Sequence, residues 1–219
     1  MLLSDVKTLI GKEVRLELKQ KYVINGILLY LLSTVFVTYL AFENRITPET
    51  WNSLFWVILL FVGVNGISKS FIQENPARYI YYYTIASPQA IVLSKILYNL
   101  LLMAILGLLS FGIFLLLMGN YVIHMELFLV TLVLGSFGLS SVLTMVAAIA
   151  SRASGNFSLM AILSFPIILP LLLTLMKMSR LALAASTWAG SQGPLIILIT
   201  INLAVVILAY LLFPYLWRD

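Results

Sequence analysis

The chain has 219 residues, of which 62% are hydrophobic and 10% charged, with a mean hydropathy of +1.08. Soluble domains are close to half apolar and a quarter charged, so this composition excludes a soluble fold. The net charge of +5 is then a signal of membrane topology and not of nucleic-acid binding. With no cysteine, one histidine and eight carboxylates, the chain has no thiolate chemistry and little stock for acid–base catalysis or a multi-ligand metal site.

The first 21 residues hold five basic side chains and the apolar series Leu3, Val6, Ile10, Val14 and Leu18. Spacings of three and four predict an amphipathic helix lying at the cytoplasmic membrane surface. Glu13 and Glu17 fall near its apolar stripe and leave it imperfect. This elbow helix (1–21) acts either as a lipid-surface anchor or as a further contact for a cytoplasmic partner. The rest of the chain (22–219) reads as one transmembrane domain.

A crossing helix needs about 20 apolar residues. Charge-free runs give six: 22–42, 50–68 continuing to 72, 96–123, 127–151, 153–176 and 195–217. The runs are long and unalternating, which predicts an all-α bundle and not a barrel. The first run starts late and lacks a small-residue cleavage site, so it is expected to be retained as a span. With the N-terminus inside, cytoplasmic segments receive Lys7, Lys12, Arg15, Lys19, Lys21, Lys69, Arg78, Lys95, Arg152 and Arg218, and external ones only Arg45, Lys177 and Arg180. Ten cations against three places both termini in the cytoplasm.

The segment after the second span is the most informative. Asn75 suits a helix N-cap and Pro76 the first turn, so a short helix is expected from Pro76 to about Ile85, ended near Ser87 and Pro88. Arg78, Tyr81 and Tyr82 would share its face. Tyrosine suits either a partner interface or an aromatic belt at the membrane surface. A capped helix is more than a connecting loop needs, so residues 73–88 are read as a coupling segment, with Glu74, Asn75, Pro76, Arg78, Tyr81 and Tyr82 as its contact residues.

Every ionisable group is expected at a span end. Lys69, Lys95 and Glu126 are placed near the boundary, where they can snorkel. Ion-coupled transport, which uses buried carboxylates or histidines as relays, is disfavoured. The small residues Gly135, Ser136, Gly138, Ser140 and Ser141 predict close packing of the fourth span. Pro166 and Pro170 are expected to kink the fifth span, as a packing kink or as a hinge or gate near its outer half. Gly190, Gly193 and Pro194 break the last apolar stretch, giving an external broken segment over 177–194 with 181–189 as a short external or re-entrant piece. His124 is expected as an interfacial polar residue, with a ligand role the minor alternative, and Trp188 as an interfacial anchor. No P-loop is present, because Gly66-Ile-Ser-Lys69-Ser70 lacks the paired glycine. Any ATP must bind another subunit.

Four pieces then carry a family resemblance: Ser87-Pro-Gln-Ala-Ile-Val-Leu-Ser-Lys95, Leu134-Gly-Ser-Phe-Gly138, Ser151-Arg-Ala-Ser-Gly-Asn-Phe-Ser158 and Pro166-Ile-Ile-Leu-Pro170. In this order, on six spans with an elbow helix, the whole chain resembles an ABC-2-type permease, and most closely the haem exporter protein B (CcmB) family. One departure is that Pro76-Ala77 and a tyrosine run stand where many members have a glycine turn and an acidic residue, although Glu74 remains. The resemblance implies a non-catalytic permease subunit of the bacterial inner-membrane cytochrome c maturation complex. It implies a cytoplasmic ATPase subunit carrying ATP and Mg, and a second polytopic subunit handling haem, with membrane lipid around them. It implies no catalytic, cofactor-binding or metal residue in this chain. ATP hydrolysis would move the coupling segment to drive haem export or release of a haem-loaded chaperone. The alternatives are a permease for another substrate, such as a lipid or drug, and a non-transporting scaffold.

Overall fold

The computed structural model describes residues 2–19, 21–42, 46–67, 87–153, 157–184 and 188–216. Among these are seven α-helices: α1 (Leu2–Lys19), α2 (Lys21–Phe42), α3 (Pro48–Ile67), α4 (Pro88–Met118), α5 (Met125–Ala153), α6 (Phe157–Leu183) and α7 (Gln192–Leu216), with a 3₁₀ turn at Trp188–Ser191 before α7. Helices α2 to α7 each contain a stretch long and apolar enough to cross a bilayer, so the chain is a multi-pass membrane protein. Without water in the hydrocarbon, backbone groups must pair within each segment, which is why these runs fold as helices.

One end of the bundle carries α1, the start of α4, the end of α5 and the start of α6. This is the basic end. At the far end, the α4–α5 loop is tied to its neighbours. Gly119 adopts a positive φ of 84° after α4, a conformation glycine takes without strain. Asn120 Oδ1 then accepts from the Val122 amide at 2.9 Å. The Ile123 and His124 amides both donate to the Ala182 carbonyl, and the Tyr121 hydroxyl donates to the Ile46 carbonyl at 3.0 Å. These bonds fasten the ends of α3, α4, α5 and α6 together.

Helix α5 is the axis of the fold. It is the most buried of the spans and packs on α3, α4, α6 and α7. Its small residues admit large neighbours. A Cβ on Gly135 would stand 2.6 Å from the Trp56 ring and 2.9 Å from Leu175. One on Gly138 would stand 2.4 Å from Asn202 Oδ1 and 2.8 Å from Leu171. The close packing expected of this face is present on two sides of one helix.

Three boundaries differ from the sequence expectation. Helix α4 starts at Pro88 instead of 96, so Lys95 lies two turns inside it and is 1% exposed. The charge-free run missed this, because a span longer than the hydrocarbon core can begin outside it: 31 residues rise about 46 Å against a core of about 30 Å. Helix α6 continues to Leu183, past Lys177 and Arg180, whose exposed charges lie in its final turns. Finally, Gly193 and Pro194 fall in the first turn of α7, where proline's missing N–H costs nothing because that donor has no intrahelical partner.

The packing around α5 gives a paired prediction. Gly138→Ala should destabilise the protein by about 1–3 kcal/mol through overpacking. Gly112→Ala, on α4 where a Cβ meets nothing within 4 Å, should be neutral or stabilising by up to about 1 kcal/mol. Thermal unfolding of both variants in detergent measures the contrast.

Candidate functional site at the junction of the first and fourth helices

The N-terminus of α4 is sharply defined. Ser87 is extended, with φ −69° and ψ 146°, and its side chain accepts from the Ala90 amide at 3.3 Å. Pro88 occupies the first helical position. Both residues suit a helix start, since the cap satisfies an orphan amide and proline's fixed φ is already helical.

Helix α1 docks along this part of α4. Val6 is buried, Leu9 packs against the core, and Glu13 points at α4. These positions are three and four apart and make one face. The Glu13 carboxylate lies 3.4 Å from Lys95 Nζ and 2.8 Å from Lys12 Nζ. Burial by itself would raise the Glu13 pKa, but the two ammonium charges and their hydrogen bonds outweigh it and hold the carboxyl below its usual range. A charge as deep as Lys95 survives only when paired and hydrogen-bonded.

This corrects two expectations. Lys95 does not snorkel from a span end, since it is enclosed and ion-paired. Glu13 is not a flaw in the stripe of α1, because it is the group that meets Lys95. The available signal was a carboxylate on the apolar face of an amphipathic helix and a lysine immediately before a long apolar run. Their pairing depends on a contact 82 positions apart in sequence.

One turn further along, Asn99 Nδ2 donates to Thr144 Oγ1 at 2.9 Å, and Thr144 donates to the Ser140 carbonyl. Between α5 and α7, Asn202 Nδ2 donates to the Leu134 carbonyl at 3.0 Å. Towards the far end, Trp56 Nε1 donates to Ser179 Oγ at 2.8 Å. Ser179 Oγ in turn lies 2.6 Å from Asn52 Oδ1, and Asn52 Nδ2 donates to the Met176 carbonyl at 2.8 Å. Beside this chain, Trp51 and Phe55 of α3, Phe111 and Phe114 of α4 and Phe128 of α5 form an aromatic cluster with centroids 4.7–6.4 Å apart. Separate polar contacts thus tie α4 to α1 and α5, α5 to α7, and α3 to α6, with an aromatic cluster towards the far end, mostly on groups the sequence reading did not single out.

The other predicted site residues are not gathered here. Glu74, Asn75, Pro76, Arg78, Tyr81 and Tyr82 lie outside the described residues. Pro166 and Pro170 are on the exposed side of α6, which remains helical through both. They stand near the middle of the helix, which runs from 157 to 183. Each proline leaves a carbonyl one turn back without its amide donor, and Thr174 Oγ1 donates to the Pro170 carbonyl at 2.7 Å. The His124 side chain is partly exposed. Among the described residues, no three His, Asp or Glu side chains converge.

Six membrane-length helices, one of them a small-residue axis on which four others pack, with an amphipathic helix latched to the third span, define a polytopic helical membrane protein. The chain matches the family described as CcmB protein over residues 4–216 and belongs to that family. It is therefore a membrane permease component of the ABC system of cytochrome c maturation and haem transport. No curated protein and no solved structure matches the chain.

Two predictions follow from the ion pair. Glu13→Gln and Lys95→Met should each cost on the order of 3 kcal/mol. The double variant should recover part of that loss, with a coupling of about 1–3 kcal/mol, measured by denaturant unfolding in micelles. The lowered Glu13 pKa contributes stability that is present above the unfolded carboxyl value of about 4.3 and lost as pH falls through the lower folded value. Spin labels on α1 and α4 should accordingly report undocking on acidification below about pH 4. The Glu13→Gln, Lys95→Met double variant should show no such transition.

Proposed function

We propose that this chain is the mechanical element of its complex. A cytoplasmic ATPase subunit docks on residues 73–88, and ATP binding and hydrolysis there displace the segment. Helix α4 begins where the segment ends, with Ser87 as its cap, and it reaches the far end, where Phe111 and Phe114 pack in the aromatic cluster. The basic end is the cytoplasmic one, in accord with ten of the thirteen cations. Both termini then lie in the cytoplasm and the membrane is the bacterial inner membrane. Haem is cargo handled by a second polytopic subunit, and the output is haem export or release of a haem-loaded chaperone. The chain itself is non-catalytic, with ATP and Mg held by the partner.

The observation that carries this reading is the family match over residues 4–216. The geometry adds a reason for mechanical coupling. A helix capped at Ser87 and tied to α1 through Lys95 would carry a displacement of its start along its length, because close-packed helices have low compliance.

Arg78→Glu combined with Tyr82→Ala should abolish co-purification of the ATPase subunit and cut cytochrome c assembly at least tenfold, as expected when an interface loses an aromatic and an arginine anchor. The variant protein should still reach the membrane at normal abundance. Wild-type levels of both ATPase association and cytochrome c assembly would overturn the coupling reading. Recovery of an ATPase without any haem-handling membrane subunit would point to a permease for another substrate.

A further inference from the structure

At the far end of the bundle, the start of α3 and the last turns of α6 flank a cleft of about 350 Å³, a volume in the range of small-molecule sites. Its floor is Asn52, which is buried and bonded at both ends of its amide. Nδ2 donates to the Met176 carbonyl, and Oδ1 lies 2.6 Å from Ser179 Oγ. Those bonds fix the spacing of the two helices, so the cleft is part of the fold. Its rim carries charges of both signs. Lys177 and Arg180 stand one turn apart on α6, and Glu49 faces them from α3. Arg180 and Glu49 approach only to 3.8 Å, and both side chains are more than half exposed. An ion pair of that kind contributes little, so both charges are available to a ligand. Lys177 has no ion-pair partner among the described residues.

We propose that this cleft binds the phosphoethanolamine headgroup of a phospholipid in the membrane leaflet at that end. The phosphate sits against Lys177 and Arg180, and the primary ammonium reaches the Glu49 carboxylate. A purely anionic ligand meets that carboxylate as a like charge, whereas a zwitterion meets an opposite charge at each of its own groups. The cation and anion of the rim are adjacent, as the phosphate and ammonium of ethanolamine are. An exposed stripe on α6 favours a lipid over a soluble zwitterion. Leu169, Leu173 and Lys177 follow one another at intervals of four and share one face, and all three are exposed. Both flanking helices are membrane spans that terminate at this end. The stripe therefore leads from the charged rim into hydrocarbon, where acyl chains lie. The inference rests on the six-span fold and not on the ATPase-coupling reading.

The test uses the purified full-length chain in neutral detergent micelles, with phosphatidylethanolamine labelled on an acyl chain as the probe. Unlabelled phosphatidylethanolamine should displace it from wild type at concentrations about fivefold lower than phosphatidylglycerol or phosphatidylcholine, the upper range for one exposed charge pair. Millimolar phosphoethanolamine without acyl chains should leave the probe bound. Lys177→Gln with Arg180→Gln should weaken probe binding about 25-fold, at about fivefold per cation near the membrane surface. Glu49→Gln keeps both cations, and it should weaken phosphatidylethanolamine and strengthen phosphatidylglycerol, which reverses the wild-type preference. All three side chains are exposed, so thermal unfolding should remain that of wild type and report that the variants are folded. The wild-type competition series needs no variant and can overturn the proposal by itself. Equal displacement by phosphatidylcholine, or failure of wild type to bind the probe, would overturn it. So would an unchanged headgroup preference in Glu49→Gln, which would leave plain charge attraction by the two cations. Displacement by the soluble headgroup would overturn the lipid assignment in favour of a soluble zwitterion.

Discussion

The arrangement depends on how closely helices can approach α5. Association between helices in a membrane gains little from the hydrophobic effect, because lipid tails are as apolar as leucine, so contact area and polar bonds must supply it. Gly135 lets the Trp56 ring and Leu175 reach the α5 backbone, and Gly138 does the same for Asn202 and Leu171. Helices α3, α6 and α7 are placed by those two notches. Once Trp56 is seated, its indole N–H reaches Ser179, and Ser179 reaches Asn52. Once Asn202 is seated, its amide reaches the Leu134 carbonyl. Van der Waals fit and hydrogen bonding are thus consequences of the same missing side chains.

The charge pair between Glu13 and Lys95 solves a different problem. An amphipathic helix at a membrane surface is free to roll and slide, because its apolar face meets fluid lipid. A carboxylate on that face removes the freedom, since it is tolerated there only where a cation meets it. The pair fixes both the rotation of α1 and its position along α4. It lies two turns past the cap at Ser87, so α1 is fixed to the start of α4. The same registration turns Lys7, Gly11 and Arg15 outward. A structural ion pair on one face and an exposed stripe with two cations on the other are therefore set by the geometry of a single helix.

The span count, the all-helical class, the amphipathic N-terminal helix and the family were legible in the chain because each depends on local composition. Apolar run length reports the thickness of the bilayer, and a period of three to four reports a helix with one wet face. The small residues of α5 also announced close packing, since nothing else explains so many of them in one span. Boundaries were less legible where a helix outruns the hydrocarbon. Lys95, Lys177 and Arg180 all belong to helices, yet a rule based on charge-free runs must put them outside.

What the sequence by itself determined is therefore which segments leave water and which carry the charges. Those are properties of each segment against a solvent, and they need no knowledge of its neighbours. Tertiary structure alone decided which polar groups meet. Glu13 and Lys95 are 82 positions apart, Asn52 and Ser179 are 127 apart, and no local pattern distinguishes such partners from solvated side chains. Their pairing follows from the way the helices pack, four of them directly on α5, and inside a membrane that arrangement is set by shape at particular side chains and not by average hydropathy.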